Sequence, residues 1–261
     1  MVRGIEKFKE YFEAFEGNYV IIGGTACEIH EENNAIAPRA TKDIDIILVV
    51  EALSHEFVER FWQFIKAGNY GERNKGTDTS ASSRHEYYRF KQPEDDSFPH
   101  QIELFSRRLD AFKLPEDAHL TPIPTTEDLS SLSAILMSDD YYNFTIEHSQ
   151  NEDGVHIANV ESLICLKCKA YTDMIARRTQ GARIDSKEIA KHKKDVFRLL
   201  AMLAPADRFD APAMIQEDLR LFIQMVHEDL PNADFMKAAG LGSISSEQLL
   251  QLLNNCFLDE Q

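Results

Sequence analysis

Cysteine is scarce in this chain, with four residues in 261, and tryptophan occurs once. Four thiols over such a length do not make a disulfide framework. Eleven glycines and nine prolines are too few and too scattered for a collagen-like repeat, and neither an internal repeat nor a long low-complexity tract is visible. No apolar run approaches the ~20 residues that span a bilayer. The longest, Ile44–Val50, has the length of a strand and is interrupted by Asp45. The segment Met1–Lys7 turns polar at once, without the apolar core of a signal peptide. These absences set the expectation of a cytoplasmic protein with no membrane partner. Positive charge is short as well: 28 Lys/Arg stand against 44 Asp/Glu, for a net charge of −16. A field of that sign repels nucleic acid and argues against a general DNA binder.

What is present is a globular composition. With 43% hydrophobic and 28% charged residues, the chain can build a core, and wholesale disorder is excluded. The length suits one large domain or two small ones. Charge is unevenly spread: residues 161–200 carry ten Lys/Arg against five Asp/Glu. A local basic surface on an acidic chain fits an anionic ligand met at one place.

Periodicity orders the chain. Ile5, Phe8, Phe12 and Phe15 form a helical stripe, and Tyr19–Ile22 is a short β-rich run closed by Gly23-Gly24. A helix is expected from Thr25 to about Asn33, a strand over Asp43–Val50, and an amphipathic helix over 51–66. Strands follow at 85–91 and 101–106, then near 132–137, 142–147 and 155–158, while 109–126 is Pro-rich and carries no clear period. From Asn159 the pattern turns helical, at 160–178, 186–204, 211–228 and 246–257. Strands mixed with helices first and helices afterwards predict an α/β (α+β) domain over 1–158 and a helical domain over 159–261.

The informative residues lie early. A strand ending in Gly23-Gly24 and running into a helix lets the backbone turn tightly and aims N–H groups at a ligand, a phosphate above all. Thr25 adds a hydroxyl that can cap or donate. Such a diglycine is more often only a turn. Asp43 and Asp45 are two apart in a β-forming run, so both leave one face while Ile44, Ile46 and Leu48 face a core. Carboxylates ~7 Å apart at Cα repel, and a cation between them relieves the repulsion. Hard oxygen donors suit Mg²⁺, shared with substrate phosphates. The plainer alternative is the wet face of an amphipathic strand. Glu103 is a third acid, placed between Ile102 and Leu104, and an ionised Glu there is costly unless paired or metal-bound. Strands 43–50 and 101–106 side by side would bring three carboxylates beside the diglycine, as a two-metal site does.

Gly-Gly-Thr, the downstream Arg39-x-Thr41-x-Asp43-Ile44-Asp45 and the later strand acid resemble the polymerase-β-type nucleotidyltransferase superfamily. Within it the chain is most similar to the AbiEii/AbiGii-type toxins of type IV bacterial toxin–antitoxin and phage-abortive systems. Such proteins carry a Lys-x-x-Ala helix and a basic-Asp pair before a Leu, matched here by Lys167-Cys168-Lys169-Ala170 and by Lys194-Asp195 with Leu199. The likeness covers about residues 19–200. Where the family has Arg before the helical Asp, this chain has Lys194, and a long segment (107–158) separates Glu103 from the Lys helix.

The resemblance implies a mixed-sheet nucleotidyltransferase core followed by a helical domain. Gly23, Gly24 and Thr25 would hold the β- and γ-phosphates of an NTP, with Arg39 and Lys169 as further nucleotide contacts. Asp43 and Asp45 would bind Mg²⁺ ions bridging the triphosphate, and Glu103 the second ion while helping to activate an attacking hydroxyl. Lys167, or else Lys169, would neutralise phosphate charge, and Asp195 would position Lys167 or the ribose. The implied chemistry is in-line attack at the α-phosphorus with pyrophosphate leaving. The acceptor would be RNA such as a tRNA end, a protein side chain or a small molecule, and a cognate antitoxin is the implied protein partner.

Other features weigh less. Cys165-x-x-Cys168 lacks the second ligand pair of a zinc site, with Cys27 and Cys256 each alone, and reads as helix packing. His192 reads as part of a solvated basic face rather than a base. Tyr87-Tyr88 and Tyr141-Tyr142 fit packing better than base stacking, and Arg107-Arg108 fits a surface role. Two other functions stay in view: a catalytically silent nucleotide-binding scaffold acting through a protein partner, and a glycosyltransferase using Asp-x-Asp. The second is disfavoured because so few residues precede the Asp pair.

Overall fold

The computed structural model describes residues 2–70, 88–108, 120–123 and 132–258. Its chain forms two units. The first comprises Met1–Thr25, Ala40–Tyr142 and Ser149–Ala158; the second comprises Ala26–Arg39, Asn143–His148 and Asn159–Gln261. The second thus takes two short pieces from the first 158 residues in addition to everything after them.

The first unit is built on a mixed sheet. β1 (Tyr19–Ile22) is buried at all four positions, as a central strand must be. It pairs antiparallel with β2 (Asp43–Leu48) and parallel with β8 (Val155–Ala158). β2 pairs parallel with β4 (Gln101–Arg107) over five residues, with Asp43 opposite Gln101 and Asp45 opposite Glu103. The far edge of β4 is shared. β3 (Arg89–Lys91) takes Gln101–Glu103 antiparallel, and β6 (Leu132–Met137) takes Phe105–Arg107 parallel. β5 (Leu120–Ile123) adds to β6 and β7 (Ser149–Glu152) to β8, which gives the order β5-β6-β4-β2-β1-β8-β7 with β3 beside β4.

Two helices cover one face of this sheet, and their aromatics explain why. In α1 (Ile5–Phe12) the buried residues are Ile5, Phe8 and Phe12, the 3–4 spacing of an apolar stripe. A 3₁₀ turn, Glu13–Asn18, leads into β1. α3 (His55–Ala67) is capped by Ser54, whose Oγ accepts from the Phe57 N–H at 3.1 Å, and it buries Phe57, Phe61 and Phe64. Phe12 meets Tyr19 at 6.2 Å and Phe64 at 5.3 Å between centroids, and Phe61 meets Phe90 of β3 at 5.6 Å. The same face receives the alternate apolar residues Ile44, Ile46, Ile102 and Leu104, all at most 1% exposed.

α2 (Gly23–Asn33) begins in the first unit and runs into the second, whose other helices are α5 (Val160–Thr179), α6 (Ser186–Leu200), α7 (Ala213–Val226), α8 (Ala233–Ala238) and α9 (Ser246–Phe257). α5 and α6 pack as an antiparallel hairpin, with α7 on α5 and α9 on α6. Asp185 caps α6, and a reciprocal Ser245–Gln248 capping box starts α9.

The mixed α/β class is observed, and several elements differ from expectation. Residues 142–147 lie in a helix, α4 (Asp139–Glu147), rather than a strand. Aromatic and β-branched side chains favour strand locally, but burial of Tyr141, Tyr142, Phe144 and Thr145 is a helical spacing, and Asp139 and Asp140 suit a first turn. β5, β7 and α8 were not anticipated. Of the expected strand 85–91, residues 85–87 lie outside the described residues, as do 109–119 and 124–126 of the Pro-rich stretch.

Truncating a fully buried ring should be costly. Phe12→Ala is expected to lower unfolding free energy by about 3–5 kcal/mol, whereas Phe15→Ala, at a half-buried site, should cost under about 1 kcal/mol. Urea denaturation of the two variants checks this.

Candidate functional site

In the first unit the side chains of Asp43, Asp45 and Glu103 leave the sheet face opposite the aromatic helices. All three are half-buried, alternating with buried Ile44, Ile46, Ile102 and Leu104. Asp45 lies between Glu103 on one neighbouring strand and Ile22, the last residue of β1, on the other. The acid pair therefore sits at the end of β1, where the chain turns at Gly23-Gly24.

Gly23 is required there for two reasons. Its φ is +71°, in the left-handed region, and a Cβ would overlap Asp45 Oδ2. The Asp45 carboxylate is thus packed against the backbone of the turn. Thr25 ties the same corner together. It is fully buried, and its Oγ1–H donates to the Asp43 carbonyl at 2.6 Å. That hydroxyl holds β2 to the start of α2, which corrects the expectation that it faces a phosphate. The backbone of the first turn of α2 remains the phosphate-binding element the sequence offers, since first-turn N–H groups lack partners within a helix.

Glu103 has a partner that sequence reasoning missed. Arg89 stands directly opposite it in β3, and Arg89 Nε makes an ion pair with Glu103 Oε1. The guanidinium also lies 5.6 Å from the Tyr88 ring centre. The strand was legible, because 85–91 reads as one and alternation puts Arg89 and Lys91 together on one face; its pairing with β4 was not. Among the described residues, no group of three His, Cys, Asp or Glu side chains is placed to hold one metal ion. The expected convergence of three carboxylates on metal is corrected to this extent: Glu103 is bound to Arg89. The donor chemistry still fits Mg²⁺, which needs only one or two protein carboxylates beside substrate phosphates; Asp43 and Asp45 are the pair that would supply them.

In the second unit Lys167, Asp195 and Arg39 meet. Asp195 is 1% exposed and accepts from Lys167 Nζ at 3.0 Å and from Arg39 Nε and Nη2 at 3.1 and 3.2 Å, a bidentate fork. Arg198 approaches the same carboxylate at 3.8 Å and Glu31 at 4.0 Å, and the Arg39 N–H donates to Glu31 Oε2 at 2.9 Å. Burial alone would raise the Asp195 carboxyl; Lys167 and Arg39 outweigh it and hold it below the ordinary range. Burial likewise opposes the Lys167 ammonium, which is nonetheless raised, with Asp195 as its anion. Cys27 does not serve that role at neutral pH, because burial pushes its thiol up to about 12.

Lys169, two residues along α5, faces elsewhere and pairs with Asp173 at 2.9 Å and Asp218 at 3.4 Å. Cys165 and Cys168 are fully buried, with thiols pushed up by burial. Arg107 pairs with Glu51 at 2.6 Å, and the Tyr142 O–H donates to the same carboxylate at 2.7 Å. His192 is not on a solvated face. Its Nδ1 is buried, and burial together with Lys167 lowers it to about 4.

No protein-family model matches the sequence, and no curated protein matches it either. Among solved structures the chain is similar to the crystal structure of the Megavirus polyadenylate synthase, at 12% identity and a TM-score of 0.36, over 94% of this chain and 44% of that one. A likeness so distant bears on neither fold nor activity.

Gly23→Ala should destabilise the chain by more than about 1 kcal/mol, whereas Gly17→Ala, with open space around the new methyl, should sit within about 0.5 kcal/mol of wild type. Thermal unfolding distinguishes them. His192 gives a pH dependence. Its unfolded form takes up a proton as pH falls through the ordinary value of 6.5, and its folded form only near 4, so stability is lost between those values. Asp195 loses its contribution in a lower window, as pH falls through its depressed value. His192→Gln should therefore gain about 2 kcal/mol relative to wild type between pH 7 and pH 4.5, read by urea unfolding at both.

Proposed function

We propose that the chain is a Mg²⁺-dependent nucleotidyltransferase that moves an NMP group from an NTP to an anionic acceptor. One observation carries this reading: Asp43, Asp45 and Glu103 share a face of adjacent strands, with Asp45 packed against the Gly23 turn. Asp43 and Asp45 would hold a divalent cation, and bound Mg²⁺ would offset the negative charge of the triphosphate. The Gly23-Gly24 turn and the first N–H groups of α2 orient phosphate oxygens. Within the second unit Asp195 orients Lys167, a contact of 3.0 Å; a role for Lys167 in neutralising phosphate charge is supported by the motif resemblance alone. An acceptor hydroxyl attacks the α-phosphorus in line, the α–β phosphoanhydride bond breaks, and pyrophosphate leaves.

RNA, a tRNA end included, is the acceptor the charge favours. Arg177, Arg178, Arg183 and Lys187 are exposed around the turn between α5 and α6, the basic part of an acidic chain. A toxin role with a cognate antitoxin is the finer form of the same proposal, supported by the motif resemblance alone.

The Arg89–Glu103 pair favours a second reading. A third acid already neutralised suits a catalytically silent nucleotide-binding scaffold that acts through a protein partner. Incubation with labelled NTPs, Mg²⁺ and total RNA separates the two. The enzyme reading expects label transfer that Asp45→Asn lowers by at least about 100-fold. Transfer undiminished in that variant excludes the metal role of Asp45. Calorimetric binding of a protein partner with no Mg²⁺-dependent turnover supports the scaffold.

A further inference from the structure

A row of three side chains crosses the sheet of the first unit. Arg89 of β3 is opposite Glu103 of β4, which is opposite Asp45 of β2. Alternation puts Lys91 on the same face as Arg89, opposite Gln101, which is in turn opposite Asp43. β3 therefore carries two cations along the edge of an acidic face. Of the two, Arg89 is the one ion-paired with an acid of the row, and Glu103 is the less exposed partner, with 13% of its side chain exposed against 36% for Arg89.

We propose that Arg89 is an internal cation that competes with divalent metal for Glu103, so that Glu103 serves a metal only when Arg89 is displaced. This rests on the acidic face being a metal site, as argued above. A carboxylate this buried needs a positive partner, and the Arg89 guanidinium supplies the charge. The same carboxylate cannot give its charge fully to two cations at once. Binding of one weakens the other by the same factor. Arg89 also has somewhere to go. Its guanidinium lies against the Tyr88 ring, so leaving Glu103 does not strand a bare cation. Arg89 is thus a positioning residue: in the metal-free chain it holds the third acid in place, and it sets the metal concentration at which that acid changes partners.

Titration of the full-length chain with Mn²⁺ alone, with free ion followed by electron paramagnetic resonance, tests this without any turnover. Arg89→Gln should bind Mn²⁺ roughly tenfold more tightly than wild type, within the usual range of coupling between linked sites. Arg89→Lys, which keeps the charge, should stay closer to wild type. In a Glu103→Gln background Arg89→Gln should change nothing, because the contested carboxylate is gone. Loss of a nearby positive charge acting only through the general field predicts the same gain in both backgrounds, and that result overturns the proposal. Should Arg89→Gln fail to fold, Arg89→Met keeps the apolar stem and carries the same expectation.

Asp45→Asn separates failure of the inference from failure of the site. Mn²⁺ binding that Asp45→Asn abolishes, but that is equal in wild type and Arg89→Gln, rejects the competition and leaves the acidic face as the metal site. Absence of Mn²⁺ binding in every variant, or binding indifferent to Asp45→Asn, rejects the metal reading and the competition with it.

Discussion

The parallel pairing of β2 with β4 is the constraint on which the rest of the first unit depends. Its register sets Asp45 against Glu103 and Ile46 against Leu104. A slip of one residue would send every side chain of one strand to the opposite face. Three carboxylates would then be divided between a packed aromatic core and the other side of the sheet. The rings of Phe12, Phe61 and Phe64 fill the space behind Ile44, Ile46, Ile102 and Leu104, so no ionised group can be accommodated there. Core packing and the acidic face are two consequences of one register.

The two units handle negative charge differently. In the second, Asp195 is sealed from water and surrounded by Lys167, Arg39 and Arg198, with Glu31 balancing the excess cations. Each charge has a partner, which is the condition for burying any of them. In the first unit the acids stay half-buried, and Arg89 of β3 pairs with one of them. A closed cluster of the first kind organises a fold.

Alternation made the common face of Asp43 and Asp45, and the outward direction of Glu103, legible in the sequence, because period 2 is a local property. The β2–β4 register was not legible, since it depends on what lies between strands far apart in the chain. Arg89 was placed on an expected strand, but nothing local identifies Glu103 as its partner. Lys167 and Lys169 could not be separated by spacing. Two positions apart on a helix point to nearly opposite faces, and only packing shows that Lys167 turns to Asp195 while Lys169 turns to Asp218. Residues 142–147 misled because strand propensity and helical burial conflict there, and tertiary packing prevailed. Thr25 reads in the sequence as a hydroxyl that can cap or donate, but its fully buried hydroxyl serves Asp43 rather than a ligand.

The charges on the acidic face decide what can dock on it. Asp43, Asp45 and Glu103 outnumber Arg89 and Lys91, and the chain as a whole carries −16. A triphosphate approaching that face alone meets net repulsion, which the turn at Gly23-Gly24 and a single helix N-terminus, worth about half a charge, do not reverse. In the enzyme reading a divalent cation held by Asp43 and Asp45 would change the sign locally, and only then would the face attract phosphate oxygens. A scaffold that meets a protein partner with this face has the opposite requirement, because a basic partner surface replaces the cation outright. The enzyme and scaffold readings therefore differ in a physical property of the ligand before any chemistry occurs. For turnover the enzyme would need metal first and then an anion; the scaffold's contact with its partner would need a cationic surface on that partner.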